Sequence, residues 1–276
     1  MTGAGHGAEG SQTGTGANQP LRGRTALVSG ASRGIGRAIA EQLAAAGAQV
    51  VVTSRSREAL AEVVAALPGT DRGHRAVTMD VGDAQSADQA LTEVAQAVGT
   101  VDVLVANAGI AASRPFHQTD DALWERLMNV NALGAFRLCR ALIPGMADAG
   151  WGRVVIVASN AGLTGLSYSS AYCASKHAVI GMMRAVALEI ARSGVTINAV
   201  CPGWVDTEMA AAAASRIANK TGRSVAEARE TLAAMSPQGR MVSPTDVAHL
   251  VATLCHDSSQ SIHGQALAID GGQVMV

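Results

Sequence analysis

The sequence predicts an α/β protein built on one doubly wound, mostly seven-stranded parallel sheet with helices on both faces, and three observations predict it. Short β-rich runs alternate with helical stretches from Arg24 to the C-terminus. The β-rich runs are apolar throughout rather than alternating, the mark of strands covered on both faces. A length of 276 residues, 48% of them hydrophobic and 16% charged, suits one large core.

The elements follow in order. TALVS at 25–29 is a buried strand. Ile35, Ala38, Ile39, Leu43 and Ala46 recur at helical spacing and stop at Gly47. QVVVT at 49–53 is the second strand, followed by a helix over 57–67. RAVTM at 75–79 and a helix over 84–98 come next, then VDVLV at 101–105. One long helix is expected over about 120–143. RVVIVA at 153–158, a helix over 171–192 and VTINAV at 195–200 continue the alternation. A helix over 245–255 and QALAI at 265–269 close it. The whole reads as a single Rossmann-type domain.

Two stretches break the rhythm. Residues 1–20 hold six glycines and no apolar run of the signal-peptide kind, so a flexible tail is expected, with the catalytic domain over 21–276. Residues 202–243 are alanine-rich and helical in propensity, and lie between the sixth and last strands. They are a substrate lid or a structural insertion, and their start at a strand's carboxyl end favours the lid.

Composition narrows the function. A net charge of −1 gives no reason to expect a nucleic-acid groove or attraction to an anionic membrane. No run of 18 apolar residues is present. Cys139, Cys173, Cys201 and Cys255 form no CxxC pair, and read as reduced thiols of a cytoplasmic protein. His74, His117, His249, His256 and His263 show no metal-ligand spacing, so no metal is expected.

Ser29-Gly30-Ala31-Ser32-Arg33-Gly34-Ile35-Gly36 joins the first strand to the first helix. Glycines there let backbone approach a pyrophosphate, whose charge a helix N-terminus favours. At the end of the second strand stand Ser54 and Arg55, with no carboxylate to take ribose hydroxyls. Arg55 and Arg33 can instead meet a 2′-phosphate from two sides. NADP(H) is the cofactor this implies.

Tyr172, one of only two tyrosines, precedes Lys176 by four residues. Residues four apart share a helix face. An ammonium beside a phenol is expected to lower its pKa, ordinarily about 10, and so to make it a usable proton shuttle for carbonyl reduction. His177 points about 100° away on such a helix, given its 3.6 residues per turn, and Met182 and Met183 read as packing residues.

The glycine spacing, the Tyr172–Lys176 pair, Asn107-Ala108-Gly109, Pro202-Gly203 and Ile269-Asp270-Gly271-Gly272 together resemble the short-chain dehydrogenase/reductase family over about residues 22–276. The resemblance implies that Ser159 bonds the substrate oxygen, and that Asn131 holds a water linking Lys176 to solvent. It implies that Gly30, Ser32, Arg33, Gly34, Ile35, Gly36, Ser54 and Arg55 contact the cofactor. Asp80 and Val81 would contact its adenine, and Asn107, Ala108 and Gly109 would steady the sheet beside it. Ala106 stands where the family's asparagine usually precedes this motif. Pro202, Gly203, Val205 and Thr207, with Tyr172 and Lys176, complete the set.

Within the family, the catalytic run is most similar to that of 3-oxoacyl-thioester reductases. Ser193 and Gly150 stand where carrier-protein reductases often have arginines, so a CoA thioester is favoured over a carrier-bound chain. A cyclic or aromatic-pathway ketone is the alternative, and a non-catalytic dinucleotide sensor a remoter one. Between Ala178 and Ala191 only Arg184 and Glu189 are charged. So apolar a helix is buried on more than one side, which together with the resemblance predicts a homotetramer, or else a dimer.

Overall fold

The computed structural model describes residues 19–275, and the expected tail lies, but for Gln19 and Pro20, outside them. Seven strands form one sheet in the order β3-β2-β1-β4-β5-β6-β7, every pairing parallel. They are β1 (Thr25–Ser29), β2 (Gln49–Ser54), β3 (Arg75–Thr78), β4 (Val103–Ala106), β5 (Gly152–Val157), β6 (Val195–Pro202) and β7 (Ala266–Ile269). The helices are α1 (Gly34–Ala45), α2 (Arg57–Ala66), α3 (Ala84–Val98), α4 (Asp121–Leu127), α5 (Gly134–Asp148), α6 (Ser170–Ile190), α7 (Glu208–Thr221), α8 (Val225–Ala233) and α9 (Pro244–Leu254).

Successive side chains of a strand point to opposite faces, and the two cores divide accordingly. Ala26, Val28, Val50 and Val52 pack on one face with Ile39 and Leu43 of α1, Leu60 of α2 and Val251 of α9. Leu27 and Val51 pack on the other with Val94 of α3, Leu138 of α5 and Met183 of α6. The strand order reverses between β1 and β4, so the loops leaving these strands diverge and open a crevice at their carboxyl ends.

Most boundaries move by one or two residues from the sequence reading. The strand expected over 101–105 begins at Val103, although the Asp102 backbone already bonds both neighbours, its N–H donating to the Thr25 carbonyl at 2.9 Å and its carbonyl accepting from the Arg153 N–H at 3.0 Å; its carboxylate adds bonds from the Thr25 N–H at 2.8 Å and Arg24 at 3.2 Å. β6 runs on through Pro202, whose missing N–H costs nothing in a parallel edge pairing with Ile269.

Two differences are larger. The single long helix expected over 120–143 is broken by a π turn, Met128–Leu133, between α4 and α5. Asn131 in that turn is buried, and both ends of its side-chain amide bind the Ile110 backbone: Oδ1 accepts from N–H at 2.8 Å and Nδ2 donates to the carbonyl at 3.0 Å. These bonds hold the extra residue that a π turn inserts. The stretch 202–243 is also not one helix but a pair, α7 and α8, closed at its base. There Val205 bridges Val242, and the Asp206 N–H donates to the Val242 carbonyl at 2.9 Å. Ala213, Ala214, Ala218, Ala228 and Leu232 give this pair a small core of its own.

Candidate active site

A cleft of about 980 Å³ opens at the carboxyl ends of β1 to β4. Gly30, Ser32, Arg33, Gly34, Ile35, Gly36, Ser54, Arg55, Asp80, Val81, Asn107, Ala108, Gly109 and Thr207, all named from the sequence as candidate cofactor contacts, line it. Tyr172, Lys176, Pro202, Gly203 and Val205 do not line this part of it.

The glycine loop is built by close approach. Gly30 has φ +66°, a conformation that glycine adopts without strain. A Cβ at Gly36 would run into the Gly30 carbonyl and the Asn107 amide, so the first turn of α1 can lie against the loop only as glycine. Asn107 fixes the arrangement by donating from Nδ2 to the carbonyls of Ser29 at 2.9 Å and Gly30 at 3.1 Å. The N–H groups of Asn107 and Ala108 donate in turn to Ser29 Oγ. α1 begins without a side-chain cap and with no acidic residue in its first turn, so its leading N–H groups face the cleft unpaired with side chains. That is a seat for an anion, and a dinucleotide pyrophosphate fits it.

At the adenosine end, Asp80 Oδ1 accepts from the Gly82 N–H at 2.9 Å. Asn129 donates to the Gly82 carbonyl at 2.6 Å and Arg137 to the Val81 carbonyl at 2.8 Å, so the π turn's neighbourhood pins this loop. Sequence reasoning missed Asn129, because a regular helix would place it away from Asn131's face. It also missed Glu62, Arg37, Arg126, Ile110 and Glu208, which line the cleft from helices or loops whose approach no local pattern reveals. Arg55 is exposed at this end and has no ion-pair partner among the described residues. Arg33 does have one: it meets Glu208, at the start of α7, at 2.6 Å.

Beyond the cleft the four catalytic candidates gather around the ends of β5 and α6. Ser159 caps the short turn Asn160–Gly162, its Oγ accepting from the Ala161 N–H at 3.1 Å. Its hydroxyl acts on Tyr172, drawing the phenol's pKa down. Lys176 is buried, with Nζ 5.9 Å from the centre of the Tyr172 ring. Asn131 donates to Ser175 Oγ at 3.0 Å. Gly109 lies close to two of these groups: a Cβ built on it would be 3.2 Å from Asn131 Oδ1 and 3.6 Å from Lys176 Nζ. Asn160 Nδ2 donates to Gln273 at 2.9 Å and to Asp270 at 3.4 Å, so the C-terminal turn braces the residue beside Ser159.

The electrostatics correct one expectation. Lys176 was expected to lower the Tyr172 pKa, yet burial pushes the phenol up, with the Ser159 hydrogen bond pulling only partly the other way. Lys176 Nζ donates instead to the Val157 carbonyl at 3.0 Å, and burial pushes its own pKa down to about 8, the nearby Cys201 opposing slightly. Tyr172 thus stays protonated at neutral pH, which suits a proton donor. Tyr168 stands apart, exposed, with φ +62°. His177 is exposed and turns back to the Cys173 carbonyl at 3.0 Å, while Met183 is buried in the core.

Comparison with known proteins agrees with this geometry. A family model described as short chain dehydrogenase matches residues 24–218. The chain is 38% identical to a cis-4-hydroxycyclohexanecarboxylate dehydrogenase of Sinomonas cyclohexanicum, over 92% of this chain and 97% of that one. It is 35% identical to a 3-oxoacyl-[acyl-carrier-protein] reductase of Mycobacterium tuberculosis, over 94% and 96%. A crystal structure of an actinorhodin polyketide ketoreductase variant with NADPH superposes with a TM-score of 0.86 at 37% identity, covering 91% of this chain and 97% of that one. With its dinucleotide-sized cleft and its serine, tyrosine and lysine in place, the chain belongs to the short-chain dehydrogenase family, whose members are oxidoreductases of alcohol and ketone groups.

Proposed function

We propose that the chain is an NADPH-dependent reductase of 3-oxoacyl thioesters, yielding the secondary alcohol. The observation that carries this reading is the partly buried Tyr172, whose phenol burial holds protonated while the Ser159 hydroxyl pulls the other way, with buried Lys176 on the same helix. NADPH, when bound, would supply the hydride that the ketone carbon receives. The chain's own residues do the rest. Ser159 and Tyr172 hold the ketone oxygen, and the Tyr172 hydroxyl gives it a proton. Lys176 would hold the nicotinamide ribose, and Asn131, which like Lys176 lies close to Gly109, would hold a water that links the lysine to solvent and so relays the proton that refills the phenol. Gly34, Ile35 and Gly36 seat the pyrophosphate, and Pro202, Gly203, Val205 and Thr207 form the wall from which the lid springs.

Exposed Phe116, Tyr168 and Met209 stand on the three segments that leave the carboxyl ends of β4, β5 and β6. They offer an apolar rim to an acyl chain. The preference for CoA over a carrier protein loses its footing. Ser193 and Gly150 precede β6 and β5, at the opposite edge of the sheet from the cleft, and cannot report on what docks at its mouth. A cyclic ketone is the second reading, favoured by the 38% identity to a dehydrogenase of a hydroxylated cyclohexane. NADPH oxidation with 3-oxoacyl-CoA esters, carrier-protein esters and cyclic ketones tests the assignment. Highest kcat/KM on a thioester supports it; highest kcat/KM on a cyclic ketone overturns it.

NADPH is favoured over NADH because Arg55 faces the cleft where a 2′-phosphate would lie. Charge-assisted bonds contribute about 1.5–3 kcal/mol each, so Arg55 alone supports a preference of about tenfold or more in kcat/KM. Arg55→Ala should lose most of it through KM for NADPH, leaving NADH nearly unchanged. Equal efficiency of the unaltered enzyme with both cofactors would contradict the assignment.

A further inference from the structure

We propose that Glu208 is a specificity-determining residue that competes with the cofactor's 2′-phosphate for Arg33, so that the phosphorylated cofactor alone releases the lid from the glycine loop. The inference rests on the NADP(H) reading above. Arg33 and Glu208 pair at 2.6 Å, with side-chain exposures of 71% and 69%. Neither is held by packing, and each is free to turn to another partner. Both line the cleft, Arg33 from the glycine loop and Glu208 from the first turn of α7. The two segments touch beside the pair, where a Cβ on Gly34 would lie 3.2 Å from the Thr207 methyl. The ion pair therefore spans the cleft from its floor to the base of the lid.

A 2′-phosphate seated against Arg55 brings a charge of about −1.5 to −2 beside this pair. Arg33 can serve the phosphate or Glu208, but its fork does not favour both when the two anions repel each other. With NADP the pair opens and α7 loses its tether to the loop. With NAD there is no phosphate and the tether stays closed. Glu208 thereby weakens binding of NADP only, and binding of NADP, unlike that of NAD, reports itself to the lid.

Dissociation constants for NADP⁺ and NAD⁺, from quenching of tryptophan fluorescence, test this on the full chain and its variants. Glu208→Gln should tighten NADP⁺ by about three- to fivefold, the size of an exposed ion pair, and leave NAD⁺ unchanged. In an Arg33→Ala background the same substitution should do nothing, because there is no arginine left to compete for. Hydrogen exchange at the first turn of α7 should rise with NADP⁺ and not with NAD⁺. The inference is overturned if Glu208→Gln shifts both constants alike, shifts neither, or still tightens NADP⁺ without Arg33, which would mean plain charge repulsion. A wild type that binds both cofactors equally, with Arg55→Ala changing neither, would instead bring down the NADP(H) reading itself.

Discussion

Replacing the Tyr172 hydroxyl by hydrogen is the smallest change that tests the proposed chemistry. A general acid contributes typically about 10²–10⁴-fold, so Tyr172→Phe should cut kcat by at least about a hundredfold with cofactor binding nearly intact. Retention of half the rate would remove Tyr172 from the mechanism. The pKa shifts add a pH prediction. Lys176 titrates near 8 in the folded chain, and burial holds the Tyr172 proton on well past that point. Reduction should therefore be level up to about pH 8 and decline above it as the lysine charge is lost; a profile level through pH 9.5, measured as kcat/KM, would contradict this. The sign for stability is opposite. Between about 8 and the ordinary lysine value of 10.5 the unfolded chain binds the extra proton, so this group makes stability rise with pH across that window. The pairing of Tyr172 with Lys176 was legible because it needs only a residue type and a spacing of four. The direction of the phenol's shift was not legible. Desolvation comes from whole segments folding around the ring, and it outweighs an ammonium that bonds the Val157 carbonyl instead.

Elements were legible where their signals are local. Strand β1 was read to the residue, and α1 within one residue of its end, because an apolar run and a glycine stop suffice. The π turn was not, because it depends on Asn131 binding the backbone of Ile110, 21 positions away. The lid was placed but not resolved into two helices, although Gly222, with φ +72°, and Ser224 mark the break between them. Ser224 forms a reciprocal capping box with Glu227: its Oγ accepts from the Glu227 N–H at 3.2 Å, and the Glu227 carboxylate accepts from the Ser224 N–H at 2.8 Å. Ser224→Ala should cost about 1 kcal/mol of α8 stability and fray the lid. If α7 and α8 close over substrate, KM for the ketone rises severalfold while KM for NADPH holds. If they are only structural, neither KM moves, and steady-state kinetics on both substrates separates the two.

At the scale of the whole molecule, the parallel sheet and its crevice followed from alternation alone, because parallel strands require crossover helices and those cover both faces. What lies outside the chain leaves a fainter trace. In α6 the residues turned away from the sheet include Gly181, Ala185 and Leu188, the last 83% exposed. Trp124, Leu133 and Phe136 are exposed to 43%, 41% and 38% on α4, the π turn and α5. A sheet-covering helix has no second layer of its own chain to bury such a face, and a leucine fully withdrawn from water contributes about 1.5–3 kcal/mol. Small residues at 181 and 185 let another helix come close. A second copy meeting this face about a twofold axis buries the same residues twice, which is how an isologous interface grows. We therefore expect a homotetramer, of about four times the 28.0 kDa chain, by light scattering at micromolar concentration. Leu188→Glu should place two carboxylates at or near the axis and give dimers or monomers with the secondary structure unchanged by circular dichroism. A monomeric wild type would refute the assembly, and a tetramer indifferent to Leu188→Glu would move its interface off α6.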